Sequence, residues 1–231
     1  MKRSIDHLRS EWAFALRSLR RRPGFTAVAA LTLAIGIGAN TAIFSVVRGV
    51  LLRPLPYVEP DRLVVINRAP NLPTAVPGNM SFPDLKDIRD EGSALESLVG
   101  YSSTNLTLTG VGDPDILNAT RVTEGLMATF RVAPALGRDI RREEFGQNAA
   151  HVVVVSNVMW RDRFAADRNV IGKSIQLDGV TYEIIGVAPA GFDFPGGVDV
   201  WLPRQLNMVG CARSCHAFNA IGRLAPNVTL A

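Results

Sequence analysis

Cysteine and histidine are scarce in this sequence, with two and three residues among 231. Both cysteines lie in "CARSCH", at Cys211 and Cys215. A zinc site needs a second cysteine pair or more histidines, and the spacing is one residue too long for haem attachment. A local disulfide that closes a small loop is therefore favoured, with free thiols and a metal or haem site as the alternatives.

Recognisable catalytic motifs are also lacking. The chain has neither G-x-S-x-G nor H-E-x-x-H. Gly172-Lys173-Ser174 resembles the end of a phosphate-binding loop, but Asp167 stands where that motif needs its first glycine. Four acidic pairs could act as acid and base in principle, but their polar contexts favour solvated surface: Asp84/Asp87, Asp113/Asp115, Glu143/Glu144 and Asp193/Asp199. We therefore predict no enzyme activity, no catalytic residue, no cofactor and no metal ligand.

Positive charge is concentrated at the N-terminus. Residues 1–24 hold seven Lys/Arg and two acidic residues, whereas the rest of the chain holds 18 basic and 19 acidic residues. This basic segment directly precedes an apolar run, which points to a membrane surface and not to nucleic acid. Apolar residues at three- and four-residue steps from Ile5 to Leu19 predict a cationic amphipathic helix in the interface.

The apolar run from Phe25 to Val47 contains no charged residue over 23 positions. A helix of this length spans about 35 Å, and a bilayer core is about 30 Å thick. A buried core helix and a cleaved signal peptide are the alternatives, but the run is long and no A-x-A cleavage site follows it. We predict an uncleaved transmembrane helix over residues 25–52, with the basic N-terminus in the cytoplasm.

Small residues recur every four positions along this run, at Ala30, Ala34, Gly38 and Ala42. This spacing predicts one helix face that another helix can approach closely. Asn40 and Thr41 are polar within the span, and we expect them to bond a neighbouring helix or to lie near its outer end.

Beyond the span, the sequence predicts a mixed α+β domain. "RPLPYVEPDR" (53–62) reads as a stiff extended linker. Strands are predicted at 62–68, 105–110, 151–156, 173–189, 199–203 and 218–226, with a hairpin turn at Asp178-Gly179. One helix begins near Pro83, with Ser81 as its cap and Gly92 as its end. A strand ending at Val122 leads into a short helix, Asn157 caps a third helix, and "NVTLA" resembles the start of a fourth.

The stretch "LAIGIGANTAIFSVVRGVLLRPLPYVEPDRLVVI" resembles the start of MacB-type ABC transporter permeases, in particular the duplicated orphan permeases common in Acidobacteria. Several later motifs resemble the periplasmic core of this family in the same order: "FPDLKDIR", "PALGRDI", "VVVVSNVMWRDRF", "VIGKSIQLDGVTYEIIGVAPAGFDFP", "DVWLP" and "GRLAPNVTLA". The resemblance implies four membrane helices per unit, a two-lobed periplasmic domain after the first helix, and ATP hydrolysis in a partner protein that drives export.

We therefore expect a cytoplasmic cationic segment at 1–24, a membrane helix at 25–52 and an incomplete MacB-like periplasmic core at 53–231, truncated at its C-terminus. The expected function is that of a permease subunit fragment in the bacterial inner membrane. The expected partners are an ABC ATPase, other permease helices or a second permease copy, a periplasmic adaptor and membrane lipid, and not nucleic acid. The alternative is a membrane-anchored periplasmic binding or adaptor module without transport activity.

Overall fold

The computed structural model describes residues 20–50, 57–68, 79–204 and 213–229. Within these ranges there are four α-helices: α1 Pro23–Val50, α2 Phe82–Glu91, α3 Leu126–Phe130 and α4 Asn157–Phe164. The strands are β1 Leu63–Ile66, β2 Leu95–Thr109, β3 Asp115–Val122, β4 Leu136–Gly137, β5 Val152–Val155, β6 Ser174–Leu177, β7 Val180–Val187, β8 Val200–Pro203 and β9 Asn219–Leu224. The predicted amphipathic segment Ile5–Leu19 lies outside the described residues.

Helix α1 forms a compact unit of its own, separate from the unit that begins at Leu55. Its stretch Pro23–Ser45 is long and apolar enough to cross a membrane, and its side chains are not buried in the protein. That exposure is not what a core helix would show. Thr41 donates its hydroxyl hydrogen bond to the Ile37 carbonyl, 2.7 Å away and one turn earlier. Its polar group is therefore satisfied within its own helix.

The second unit is built around one nine-stranded sheet with the order β1-β9-β2-β3-β8-β5-β7-β4, and β6 pairs with both β2 and β7. Most neighbours are antiparallel, but β3 and β8 run parallel, as do β5 and β7. The four valines of β5 are all buried, and this strand lies between β7 and β8. The mixed sheet and its short helices confirm the predicted α+β class and the central position of β5.

Alternate residues of the strands feed cores on opposite faces of the sheet. One face contributes Leu106, Leu117, Ile184 and Leu202 to a core that α4 covers. The other face contributes Val99, Val122, Ile185 and Trp201 to a core that includes α3. A third cluster, around Leu85, Leu98 and Phe218, lies beneath α2.

Local sequence signals explain most helix and turn boundaries. Ser81 accepts a hydrogen bond from the Asp84 amide and Asp84 accepts one from the Ser81 amide, which completes a capping box for α2. The Gly92 amide donates to the Ile88 carbonyl and ends the helix. Asp178 and Gly179 both have positive φ, at 49° and 78°, as a two-residue hairpin turn requires. These predictions are confirmed.

Four expectations differ from the structure. Strand β2 runs from Leu95 to Thr109, much longer than the predicted strand at 105–110, because β9 and β3 pair with it on both sides. Helix α4 is capped by Ser156, whose hydroxyl accepts from the Met159 amide, and not by Asn157. Residues 57–62 are not an extended linker, since a 3-10 helix forms at Pro60–Arg62. Residues 227–229 form a turn and extended chain, not the start of a helix.

The close approach of β4 to β7 leaves no room for a side chain at Gly186. A Cβ there would lie 2.2 Å from the Arg138 carbonyl oxygen, a backbone atom that cannot move aside. We predict that Gly186→Ala destabilises the fold by about 1–3 kcal/mol, because overpacking forces the backbone apart. The expected fall in Tm is several degrees, measured by circular dichroism of the full chain in detergent.

Gly146→Ala is the matched control, since a Cβ at that position lies 3.5 Å from its nearest neighbour, in ordinary contact. Equal melting of the Gly186→Ala variant and the wild type would contradict this account of the β4–β7 packing.

Candidate functional site

The site with the densest polar contacts lies where the chain enters the folded domain after the membrane helix. We call it the entry anchor and define it by Tyr57, Glu59, Arg62, Glu96, Arg131 and Arg223. Its parts come from residues 57–62, which precede β1 and which we call the entry segment, and from β2, the end of α3 and β9. It brings the first and last strands of the domain together, because β1 pairs with β9 in antiparallel register.

Arg223 is the centre of the entry anchor. Its side chain is completely buried, with 0% exposure, and its neighbours from Ala220 to Leu224 on β9 are apolar or glycine. Nε donates to the Thr129 carbonyl at 2.6 Å, Nη1 to the Glu59 carbonyl at 3.2 Å and Nη2 to the Val58 carbonyl at 2.9 Å. The fork of one guanidinium therefore ties the end of α3 to the entry segment.

Two carboxylates balance the charge around this guanidinium. Glu59 lies 2.7 Å from Arg62, 2.5 Å from Arg131 and 3.9 Å from Arg223. Glu96 lies 2.6 Å from Arg62 and 3.1 Å from Arg131. Three cations and two anions share the cluster, so none of these side chains depends on a single partner.

The shared charges shift the pKa values of the anchor groups. The hydrogen bond from Arg131, helped by Arg62, lowers the pKa of Glu96. The same pairing with Glu96, together with Glu59, raises the pKa of Arg131. Burial, with the nearby charge of Arg131, lowers the pKa of Arg223. The shifts of Glu96 and Arg131 both favour the charged forms that pair with each other.

Two of the paired residues have left-handed backbone. Glu59 has φ 48° and Arg131 has φ 54°, and both carry side chains that disfavour this region. Arg131 ends α3, and its amide donates to the carbonyls of Met127 and Ala128. The two residues also form an ion pair with each other, and strained backbone of this kind persists only where surrounding contacts maintain it.

Tyr57 adds an apolar contact to the entry anchor. Its ring packs edge-on against Phe130 at 4.6 Å and Phe192 at 5.9 Å between centroids. Phe192 in turn lies 5.3 Å from Trp201, in the core of the sheet. Burial raises the pKa of the Tyr57 hydroxyl. The entry segment is therefore fixed both by buried aromatic rings and by Arg223.

Of the residues singled out in the sequence, Cys215 is disulfide-bonded, and Cys211 lies outside the described residues. Their pairing stays a prediction. Ala30, Ala34, Gly38 and Ala42 are all exposed on α1, and their role as a packing face also stays a prediction. In the ranges that the structure describes, no group of three His, Cys, Asp or Glu side chains could hold a metal ion.

Some members of the acidic pairs have structural roles. Asp199 accepts from the Asn118 amide and Asp193 from the Val198 amide. Glu144 is buried, against our expectation of a solvated surface, and forms two hydrogen bonds with Arg138, at 2.6 and 2.8 Å. Burial alone would raise the pKa of Glu144, but the hydrogen bonds from Arg138 and the Arg141 amide lower it.

The entry anchor itself was missed at the level of sequence. The one available signal was Arg223 inside the apolar strand "NAIGRL", because a charge in such a run must find partners when it is buried. Nothing in the sequence indicates which partners these are.

Comparison with solved structures defines the fold first. The fold is similar to the periplasmic region of MacB from Actinobacillus actinomycetemcomitans, with TM-score 0.54, 15% identity, and coverage of 72% of this chain and 76% of that one. It is also similar to the extracellular domain of the noncanonical ABC-type transporter YknZ from Gram-positive bacteria, with TM-score 0.52, 17% identity, and coverage of 71% and 83%. No curated protein sequence matches the chain.

The MacB-like periplasmic core domain model matches residues 26–231, nearly the whole chain. The chain therefore belongs to the family of MacB-like periplasmic core domains of ABC-type transporter permeases. The match includes most of α1, so the protein combines one candidate membrane helix with a periplasmic core domain. The family is a permease component of such transporters and not itself an enzyme.

Loss of the buried guanidinium would test the entry anchor. We predict that Arg223→Met destabilises the fold by about 3–5 kcal/mol, because the carbonyls of Val58, Glu59 and Thr129 lose their donors and Glu59 loses a partner. The measurement is urea unfolding of the full chain in detergent, followed by tryptophan fluorescence. Arg168→Met, at an exposed arginine, is the control. Equal midpoints for both variants would exclude this role for Arg223.

The lowered pKa of Glu96 predicts a pH dependence. A carboxylate with a lowered pKa contributes stability above its ordinary pKa and loses that contribution as the pH falls through the lowered value. The Tm of the wild type should therefore fall further than the Tm of Glu96→Gln between pH 6 and pH 3. Glu143→Gln, at an exposed carboxylate, is the control and should behave as wild type. Parallel curves for wild type and Glu96→Gln would show that Glu96 is not linked to folding in this way.

Proposed function

We propose that this chain is part of a permease subunit that couples ATP hydrolysis by a partner ABC ATPase to movement of the periplasmic domain. Membership of the MacB-like family supports the ATPase partner, since permeases of this family work with such subunits. The arginines directly before α1 support an orientation with the N-terminus in the cytoplasm and the folded domain in the periplasm. A bacterial inner membrane and an export function follow from the same proposal.

The buried contact of Arg223 carries the mechanical part of the proposal. The entry segment follows the membrane helix by a few residues, and Arg223 holds the carbonyls of Val58 and Glu59 against β9. A displacement of α1 that reaches residue 57 would therefore act on the sheet and not on a loose tether. The aromatic contacts of Tyr57 oppose detachment in the same way.

The remaining partners follow from the exposed helix. We propose that Ala30, Ala34, Gly38 and Ala42 face other permease helices or those of a second permease copy, with lipid around the rest of α1. A Cβ added at Gly38 would meet no atom within 4 Å in the described chain, so the position is free to receive a neighbour. A periplasmic adaptor is a further proposed partner of the folded domain.

A flexible insertion separates coupling from folding. We predict that four glycines inserted after Pro56 uncouple the domain from α1, because a slack segment transmits little force. In the complete transporter with its ATPase, hydrogen exchange of the β1 and β9 amides should change on addition of ATP in the wild type and stay constant in the insertion variant. ATP hydrolysis itself should continue in both.

The control is the same insertion after Gly112, in an exposed turn between β2 and β3, which should respond to ATP as the wild type does. An unchanged response after insertion at Pro56 would refute coupling through the entry anchor. A wild-type domain that does not respond to ATP at all would favour the alternative of an anchored binding or adaptor module.

A further inference from the structure

A polar gap lies between two apolar cores on one face of the sheet. On this face Leu98 and Phe218 belong to the core beneath α2, and Leu106, Ala119 and Leu202 belong to the core beneath α4. Alternation along each strand places the residues between these cores on the same face. They are Ser102 and Thr104 of β2, Arg121 of β3 and Arg204, which directly follows β8.

Arg121 and Arg204 are close neighbours on this face. The strands β3 and β8 run parallel, and Arg121 lies opposite Leu202, two residues before Arg204. Both arginines are partly buried. Burial, with the like charge of Arg121, lowers the pKa of Arg204.

No carboxylate compensates these two cations. Among the described residues from 57 to 229, neither Arg121 nor Arg204 forms an ion pair with Asp or Glu. The stretches 69–78, 205–212 and 230–231, outside the described ranges, contain no Asp or Glu side chain. Other partly buried arginines of the domain do pair with a carboxylate: Arg62, Arg138 and Arg163.

The surroundings prepare Arg204 to bind an anion. Its guanidinium lies 5.2 Å from the centroid of the Phe218 ring and donates to the Ser102 hydroxyl at 3.4 Å. An aromatic ring beneath the guanidinium limits its motion but supplies no negative charge. An arginine fork that is held in this way suits the planar geometry of a carboxylate.

We propose that the gap with Arg121, Arg204 and Ser102 is a docking site for a carboxylate side chain on an acidic segment of a partner protein. Charge complementarity supports this proposal, because two adjacent guanidiniums have no Asp or Glu partner in the described part of the domain. The floor of the site is the face of the sheet, on which Ser102, Arg121 and Arg204 are all partly buried. A protein segment that brings its own carboxylate suits such a surface.

The test uses the full chain in detergent and a fluorescent tetraglutamate peptide, with binding measured by fluorescence anisotropy at low salt. The basic N-terminal segment is identical in every variant, so any peptide that it binds cancels in the difference between variants, which is the readout. We expect Arg121→Gln/Arg204→Gln to weaken binding about tenfold relative to the wild type, equivalent to about 1.4 kcal/mol. Arg168→Gln, at an exposed arginine outside the gap, should bind as the wild type does.

The single variant Arg121→Gln keeps the test decisive if the double variant misfolds, since Arg121 has no ion pair within the described chain to lose. It should weaken binding while its melting curve stays that of the wild type. Arg121→Lys should fall between wild type and Arg121→Gln, because lysine keeps the charge but loses the bidentate fork. The proposal is overturned by equal peptide binding in wild type and double variant, by an equal loss in Arg168→Gln, or by binding of inorganic phosphate without binding of the peptide.

Discussion

Burial of the Arg223 guanidinium is the constraint around which the rest of the domain is arranged. A charged group without water needs its hydrogen bonds and its counter-charge supplied by the protein, or the burial would cost several kcal/mol. Here three carbonyls from two distant segments accept from it, and Glu59 lies 3.9 Å away. The entry segment and α3 therefore both supply acceptors to the same side chain of β9.

This constraint also accounts for the backbone around the anchor. Glu59 and Arg131 both have left-handed backbone and form an ion pair with each other. Arg62 pairs with Glu59 and Glu96, and Arg131 also pairs with Glu96. An arginine suits the central position better than a lysine would, because its rigid fork reaches several acceptors at once. The result is an entry segment that several contacts hold to the sheet at once. Such an attachment is what the proposed coupling needs if movement of permease helices is to reach the periplasmic domain.

Sequence reasoning succeeded where the signal is local. Ser81 and Gly92 bound their helix because a cap involves residues within one turn, and Asp178-Gly179 forms its hairpin because only two residues determine that turn. The four valines of β5 indicated a buried strand by composition alone. The mixture of predicted strands and helices indicated the α+β class, and motifs along most of the chain indicated the family.

Sequence reasoning failed where the contact is distant. Arg223 and Glu59 are 164 residues apart in sequence, and no periodicity relates them. The prolines of residues 53–62 predict an extended linker, whereas Tyr57 packs against the rings of Phe130 and Phe192, which lie far along the chain. Such pairs depend on strand order, which a single sequence does not reveal.

The most direct test of the central claim is a force measurement on the entry segment. Handles attached at residue 55 and at the Gly112 turn allow optical tweezers to pull this segment away from the sheet. We predict that in the wild type residues 57–66 detach only when the sheet unfolds, and that in Arg223→Met they detach at a clearly lower force. Early detachment of the segment from an intact sheet, at the same force in both proteins, would contradict it.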